Sequence, residues 1–86
     1  MFHKVTMWQL EDELIFDSVE TAVDYVSKYW QAFADPVADE CANVQVSGNL
    51  DNIFIKYDAI NFDGEEKITT SYNEIFDIKP VTVIVE

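Results

Sequence analysis

The chain has no arginine, one cysteine (Cys41), two glycines (Gly48 and Gly64) and two prolines (Pro36 and Pro80) in 86 residues. Each shortage removes a class of function. One cysteine cannot close an internal disulfide or supply a two- or four-cysteine zinc site. Two isolated glycines cannot build a dinucleotide fingerprint or a phosphate-cradling loop, which need glycines at fixed spacings. No apolar run approaches the roughly 20 residues that a bilayer requires. Met1 to Trp8 runs into Glu11-Asp12-Glu13 without the apolar stretch and small-residue cleavage site of a secretory signal. With a lone, reduced cysteine, a cytoplasmic protein is the expectation.

Basic charge is scarce too. Five scattered lysines (Lys4, Lys28, Lys56, Lys67 and Lys79) stand against 17 acids, a formal net charge of −12. Nucleic-acid binding relies on lysine and arginine to displace counterions from phosphates, and anionic membranes attract the same side chains. Direct nucleic-acid and membrane ligands are therefore excluded as expectations. A surface of this sign attracts positive partners, foremost a basic protein.

What the chain does have is burial material: 49% of it is apolar and 14% aromatic, more than disordered acidic tails carry. That content at this length predicts one folded domain spanning residues 1–86. The domain radius of gyration should be roughly 12 Å and the Debye length in physiological salt about 8 Å. Only local clusters of charge then give a strong field, so where the acids bunch matters more than their total.

The pattern along the chain predicts an α+β fold. Phe2 to Leu10 and Leu14-Ile15-Phe16 read as two strands joined by the acidic turn Glu11-Asp12-Glu13. Asp17, with Glu20 three residues on, has the signature of a helix N-cap. Val19, Ala22, Val23, Val26, Tyr29, Trp30 and Phe33 then form one apolar stripe at the 3.6-residue period, with Glu20, Asp24, Lys28 and Gln31 off it. Asp35-Pro36 ends this helix and could open a second, short one reaching about Ala42. Beyond Asn43 the chain reads as β: Val44 and Val46 alternate with polar residues, Ile53, Ile55 and Tyr57 follow, Asp63-Gly64 signals a hairpin, and Ile68, Thr70 and Tyr72 share a face. Asn73 to Lys79 is ambiguous, and Pro80 restricts Val81–Val85 to a strand start or an edge. The order ββα(α)ββββ implies an antiparallel sheet packed on one long amphipathic helix.

Catalytic constellations are thin. His3 and Cys41 are the only nucleophile-and-base pair, and nothing orients them; a surface histidine and a small buried thiol are the simpler reading. None of the four serines sits in a nucleophile elbow. Asn61 to Glu66 brushes against a calcium loop, but that frame would put Ala59 and Thr70 at ligand positions, which is wrong. Paired carboxylates need a cleft that so small a domain has little room for. Trp8, Tyr25, Tyr29, Trp30 and Phe33 could form an aromatic box, although helical spacing favours the core for the last four, except that Tyr25 lies at the edge of the stripe and is expected to be partly exposed; Trp8 lies on a strand that does not alternate cleanly. No enzyme activity, cofactor or metal site is therefore expected.

The acidic clusters stand above this background. Glu11-Asp12-Glu13 occupies one hairpin tip and Asp63-Gly64-Glu65-Glu66 another; Asp17, Glu20 and Asp24 line the outer helix face, and Asp35, Asp39 and Glu40 follow it. Blocks of like charge are usually just solvated, and salt adaptation also enriches acids, but eight isoleucines and five lysines without arginine do not resemble that adaptation.

The opening Trp8-Gln9-Leu10-Glu11-Asp12, followed by Phe16-Asp17-Ser18 with Glu20, Ala22 and Tyr25, resembles the hairpin-then-helix start of many small phage-encoded proteins over the first third of the chain. The resemblance implies a host-takeover or counter-defence role, often inhibition by binding a host enzyme. In size and charge the chain is similar to small acidic bacterial immunity proteins, which neutralise basic nuclease toxins. The combined expectation is a non-enzymatic inhibitor of a basic, nucleic-acid-binding protein, a DNA mimic that docks through Glu11, Asp12, Glu13, Asp63, Glu65 and Glu66, with Glu20 and Asp24 secondary. The alternative is an assembly module that forms a homodimer through an exposed strand edge near Val81–Val85.

Overall fold

The computed structural model describes residues 1–34 and 38–86. Chain order is β1 (His3–Leu10), β2 (Leu14–Phe16), α1 (Val19–Tyr29), a 3₁₀ turn (Trp30–Ala32), β3 (Glu40–Gly48), β4 (Asn52–Asp63) and β5 (Glu66–Val85). The strands form one antiparallel sheet in the order β2-β1-β5-β4-β3.

The first hairpin forms as the sequence predicts, with Leu10 opposite Leu14 and Trp8 opposite Phe16. Glu11 and Asp12 adopt φ of 50° and 59°, left-handed values that side chains other than glycine seldom take. They are held there because Glu13 N–H donates to the Leu10 carbonyl and Glu11 N–H donates to the Asp77 carbonyl, both at 3.0 Å.

The helix differs from expectation at both ends. Its N-cap is Ser18, not Asp17: Ser18 has extended backbone (φ −154°, ψ 163°), and its Oγ accepts from Thr21 N–H at 3.1 Å. Pairing of β2 with β1 ends at Phe16, so Asp17 is spent on the connection. At the C-terminal end the α-helix stops after 11 residues and tightens into the 3₁₀ turn. The tighter turn, of three residues, carries the chain on toward Phe33. Trp30 and Phe33 still pack on the core, whereas Tyr29 is 46% exposed with Lys28 Nζ 5.4 Å from its ring centroid.

The expected second helix is only partly within view. Asp35 to Val37 lie outside the described residues, but Glu40, Cys41 and Ala42 already pair with Ile60, Ala59 and Asp58 as the start of β3. The order after the helix is also corrected, since three strands follow it, not four. The segments predicted around Ile68–Tyr72 and Val81–Val85 are one 20-residue strand, β5, continuous through the ambiguous Asn73 to Lys79. The partner decides that stretch: Asn73 to Asp77 lie opposite Lys56 to Asn52 of β4, and Ile78 to Val85 lie opposite Leu10 to His3 of β1. Val81–Val85 is accordingly not on an outermost strand of the sheet.

Side chains alternate across the sheet, and α1 covers one face. Leu10, Ile53, Ile55, Tyr57, Ala59 and Ile78 are buried under Ala22 and Val26. Aromatic rings extend this core: Phe33 meets Phe76 edge-on at 5.5 Å, and Trp30, Tyr57 and Tyr72 follow one another at 5.8 and 5.7 Å. The residues considered for an aromatic box are thus mostly core.

At about 3.3 Å per residue a 20-residue strand spans roughly 65 Å, matching the long axis of the 66 × 18 × 17 Å molecule. The radius of gyration is 16.6 Å, well above the roughly 12 Å of a compact chain of this length.

Gly48, at the end of β3, lies directly against the helix. A Cβ there would lie 2.7 Å from Val23 Cγ2, and a β-branched side chain in a helix has little freedom to move aside. Gly48→Ala should therefore destabilise by about 1–3 kcal/mol in urea unfolding. The double variant with Val23→Ala should lose less than the sum of the two single variants.

Candidate acidic interface

Two hairpin tips and one helix face hold the acids singled out in the sequence, and β5 fixes the distance between the tips. At the first tip, Glu11 docks on the middle of β5. Its Oε1 accepts from Asp77 N–H at 3.0 Å while its own N–H donates to the Asp77 carbonyl. Asp12 Oδ1 pairs with Lys79 Nζ at 2.7 Å. Asp51 joins from the β3–β4 turn, where its carbonyl accepts from Ile78 N–H at 3.1 Å, and Asn52 Nδ2 donates to Asp77 Oδ1 at 3.3 Å. Gln9, Glu11, Asp12, Asp51, Asp77 and Lys79 enclose a shallow groove of about 280 Å³.

This proximal cluster is therefore partly committed to the fold. The hydrogen bond to Asp12 comes first, and the charges of Asp12 and Asp77 add to it, holding the Lys79 ammonium above the usual lysine value. Both partners of the pair are mostly exposed, 58% and 77%, so it adds little to stability. Asp51 and Asp77 were missed from the sequence. Glu11 and Asp77 are 66 residues apart, and no local pattern reports such a contact.

The second tip closes β4 onto β5. Asp63 lies opposite Glu66 across Gly64 and Glu65. Gly64 takes φ 65°, the position for which two-residue hairpin turns select glycine. The carboxylates of Asp63, Glu65 and Glu66 make no hydrogen bond or ion pair among the described residues. Asp39 and Glu40, which the sequence associates with the helix, sit instead beside this arm. Asp39 Oδ2 accepts from Phe62 N–H at 2.9 Å, Asp39 N–H donates to Asn61 Oδ1 at 3.3 Å, and Glu40 pairs with Ile60.

Glu66 and Asp77 lie on the same strand, which sets the two clusters about 36 Å apart. That is more than four Debye lengths in physiological salt, so they are two patches and not one. Glu20 and Asp24 form a third group; with Val19, Val23 and Gly48 they line a separate depression of about 270 Å³ and share no residue with the proximal groove.

The chemical alternatives can be placed as well. His3 lies opposite Val85, while Cys41 lies opposite Ala59 and through it Thr70. Thr70 and Val85 are about 50 Å apart along β5, so the two side chains never meet. Among the described residues no three His, Cys, Asp or Glu side chains are arranged to hold a metal ion, and no helix is long and apolar enough to cross a membrane.

One polar device was not legible in the sequence. At the β3 bulge Asn43 takes φ 54°, a conformation asparagine tolerates better than most residues, and its Nδ2 donates to Asp58 Oδ2 at 2.8 Å. Ser71 Oγ donates to Asp58 Oδ1 at 2.7 Å, so one carboxylate ties β3, β4 and β5 together. Comparison with family models, with curated proteins and with solved structures returns no match for this chain.

The Asp58 carboxyl is held below the usual carboxylate value, first by Asn43, then by Ser71, with the Lys56 charge adding and partial desolvation opposing. A carboxyl depressed on folding contributes stability that is present above its unfolded value, about 3.9, and lost as pH falls through the folded value. In a ¹³C NMR titration Asp58 should titrate below an ordinary aspartate. Asn43→Gly, which keeps the backbone conformation but removes the amide, should move it upward and weaken the fold near neutral pH. An unmoved Asp58 titration would show that the bond to Asn43 is not formed in solution.

Proposed function

We propose that this chain is a non-enzymatic binding protein that lays its carboxylate clusters on the basic, nucleic-acid-binding surface of another protein and blocks it, standing in for phosphate charge. The observation that carries this is the spacing of the Glu11–Asp12–Glu13 and Asp63–Glu65–Glu66 clusters, about 36 Å along one rigid strand. Dimeric duplex-binding proteins place their two reading heads about 34–36 Å apart, one helical turn.

Shape and charge density support the same function. The molecule is a rod with 17 carboxylates along 66 Å, about one per 4 Å. One strand of a duplex carries a phosphate about every 3.4 Å. The mechanism is long-range steering followed by a short-range polar fit, which speeds association at low salt. Asp63, Glu65 and Glu66, whose carboxylates are uncommitted, supply the stronger contacts. Glu13 and the unpaired oxygens of Glu11 and Asp12 supply the second, and Glu20 and Asp24 extend the charged surface. The resemblance of the first third of the chain to phage-encoded proteins, and of its size and charge to nuclease immunity proteins, is in keeping with a nucleic-acid enzyme as the blocked partner.

Displacement of a fluorescent duplex from a panel of basic DNA-binding proteins, read by anisotropy, tests this. The chain should displace the duplex at low salt and do so less well as salt rises. Reversal of Asp63, Glu65 and Glu66 to lysine should weaken displacement on the order of 10- to 100-fold, and Glu13→Lys should weaken it by a smaller factor. Displacement that ignores both salt and the triple reversal, or no displacement from any panel member, would overturn the proposal.

A further inference from the structure

The strand β5 is paired on only one side along each half. Asp77 aims both its backbone groups at Glu11, on the β1 side, while Ile78 aims its N–H at the Asp51 carbonyl, on the β4 side. Successive residues of an antiparallel strand point these groups to alternate sides, so Pro80, Thr82 and Ile84 face the β4 side. There β4 has already begun, with Asn52 opposite Asp77, and no further strand lies alongside among the described residues. Pro80, which has no N–H, is tolerated inside the long strand because its nitrogen falls on this open side.

A second open stretch, Lys67 to Ile75 on the other side of β5, has a different character. On the face away from α1 it presents Lys67, Thr69, Ser71 and Asn73 before the exposed Ile75, and Glu65, Glu66 and Asp77 close its ends. Around Val81–Val85 charge is sparser: neither β1 nor β5 from Ile78 onward contains a carboxylate, and the charges that flank the segment are Lys4, Lys79 and Glu86. The uncovered face there carries Val5, Met7, Val81, Val83 and Val85, with Val5 37% and Val85 42% exposed. Because β2 reaches no further than Trp8, β1 and β5 stand here as a two-stranded ribbon, an arrangement that is marginal in water unaided. A chain of charge −12 repels a second copy over most of its surface, but not at this site.

We propose that the open side of β5 at Val81–Val85 pairs with the same segment of a second copy of this chain, antiparallel, with Val83 on the two-fold axis. Three constraints select that register. The edge-facing residues are Thr82 and Ile84, so Thr82 of each copy must bond Ile84 of the other. Centring on Thr82 instead would set Ile84 against Pro80, which cannot donate. It would also drive Glu86 into Asp51 of the second copy, whose carbonyl already accepts from Ile78 N–H. With Val83 on the axis, the position facing Asp77 of the second copy, where its β4 starts, lies about four residues beyond Val85, the last residue of β5. Val83 then faces its twin and Val81 faces Val85 of the second copy, so the apolar face continues across the join. About four main-chain hydrogen bonds form between Thr82 and Ile84. The pairing does not depend on the acidic interface, which lies elsewhere on the rod.

Sedimentation equilibrium over a concentration series tests the dimer. So short an interface predicts a dissociation constant on the order of 1–100 µM, tightening as salt screens the net charge. Thr82→Pro removes an N–H that has no partner among the described residues of one copy. It should leave the circular dichroism and unfolding of the dilute protein unchanged and abolish the dimer. In a Cys41→Ala background, Val83→Cys should form an intermolecular disulfide on mild oxidation, because directly opposed residues of this type have Cα atoms about 4.5 Å apart. Val81→Cys, about 13 Å from its twin, should not. A monomer at every concentration to about 200 µM, a dimer that survives Thr82→Pro, or equal cross-linking at positions 81 and 83 would each overturn the proposal.

Discussion

The molecule depends on a single strand that bonds to different partners on its two sides. From Glu66 to Asp77, β5 is held by β4; from Ile78 to Val85 it is held by β1. The handover falls at Asp77 and Ile78, adjacent residues whose backbone groups point in opposite directions: Glu11 satisfies the Asp77 N–H and carbonyl, and the Asp51 carbonyl takes the Ile78 N–H. Ile78 is also the residue of β5 most deeply buried beneath the helix. The elongated outline, the distance between the hairpin tips and the two half-open edges of β5 all follow from this handover. A sheet whose central strand was paired on both sides throughout would be half as long and wider, with its charges drawn together.

That geometry suits the charge. Seventeen carboxylates on a compact body of this size would sit within a Debye length or so of one another, and self-repulsion would oppose folding. Along a 66 Å rod the two main clusters are electrostatically independent in physiological salt. At the first tip and elsewhere along the rod, though not at Asp63, Glu65 and Glu66, the fold supplies partners for its carboxylates: Lys79 for Asp12, the Asp77 amide for Glu11, the Phe62 amide for Asp39, and the Asn43 and Ser71 side chains for Asp58. The length also limits the core. Among the described residues one short helix covers the sheet, so buried apolar side chains are confined to the middle, and aromatic pairs such as Phe33–Phe76 and Tyr57–Tyr72 carry the packing outward along the arm.

Much of this was legible along the chain where the signal is local. Alternation around Val44 and Val46, the Asp63-Gly64 turn, the Glu11–Glu13 turn and the inward set Ala22, Val26, Trp30 and Phe33 are each decided by residues a few positions apart. The cap moved by one residue, from Asp17 to Ser18, because the end of β2 pairing and not side-chain preference sets where the helix can start. Tyr29 is exposed because, in the last turn of the α-helix, it falls at the edge of the stripe and not at its centre. Of the candidate interface, both hairpin tips stood out as acidic runs, whereas Asp51, Asp77 and Asp39 joined them through contacts that span 22 residues or more.

The sequence by itself determined the sign of the surface, the positions of the turns and the presence of one amphipathic helix on an antiparallel sheet, because period, turn chemistry and charge act over a handful of residues. Only the tertiary structure decided that two predicted strands are one, that Pro80 lies within it, and that the acids divide into patches about 36 Å apart. Those outcomes depend on which strand lies beside which. Hydrogen-bond partners 60 or more residues distant settle that, and no short window of residues contains them.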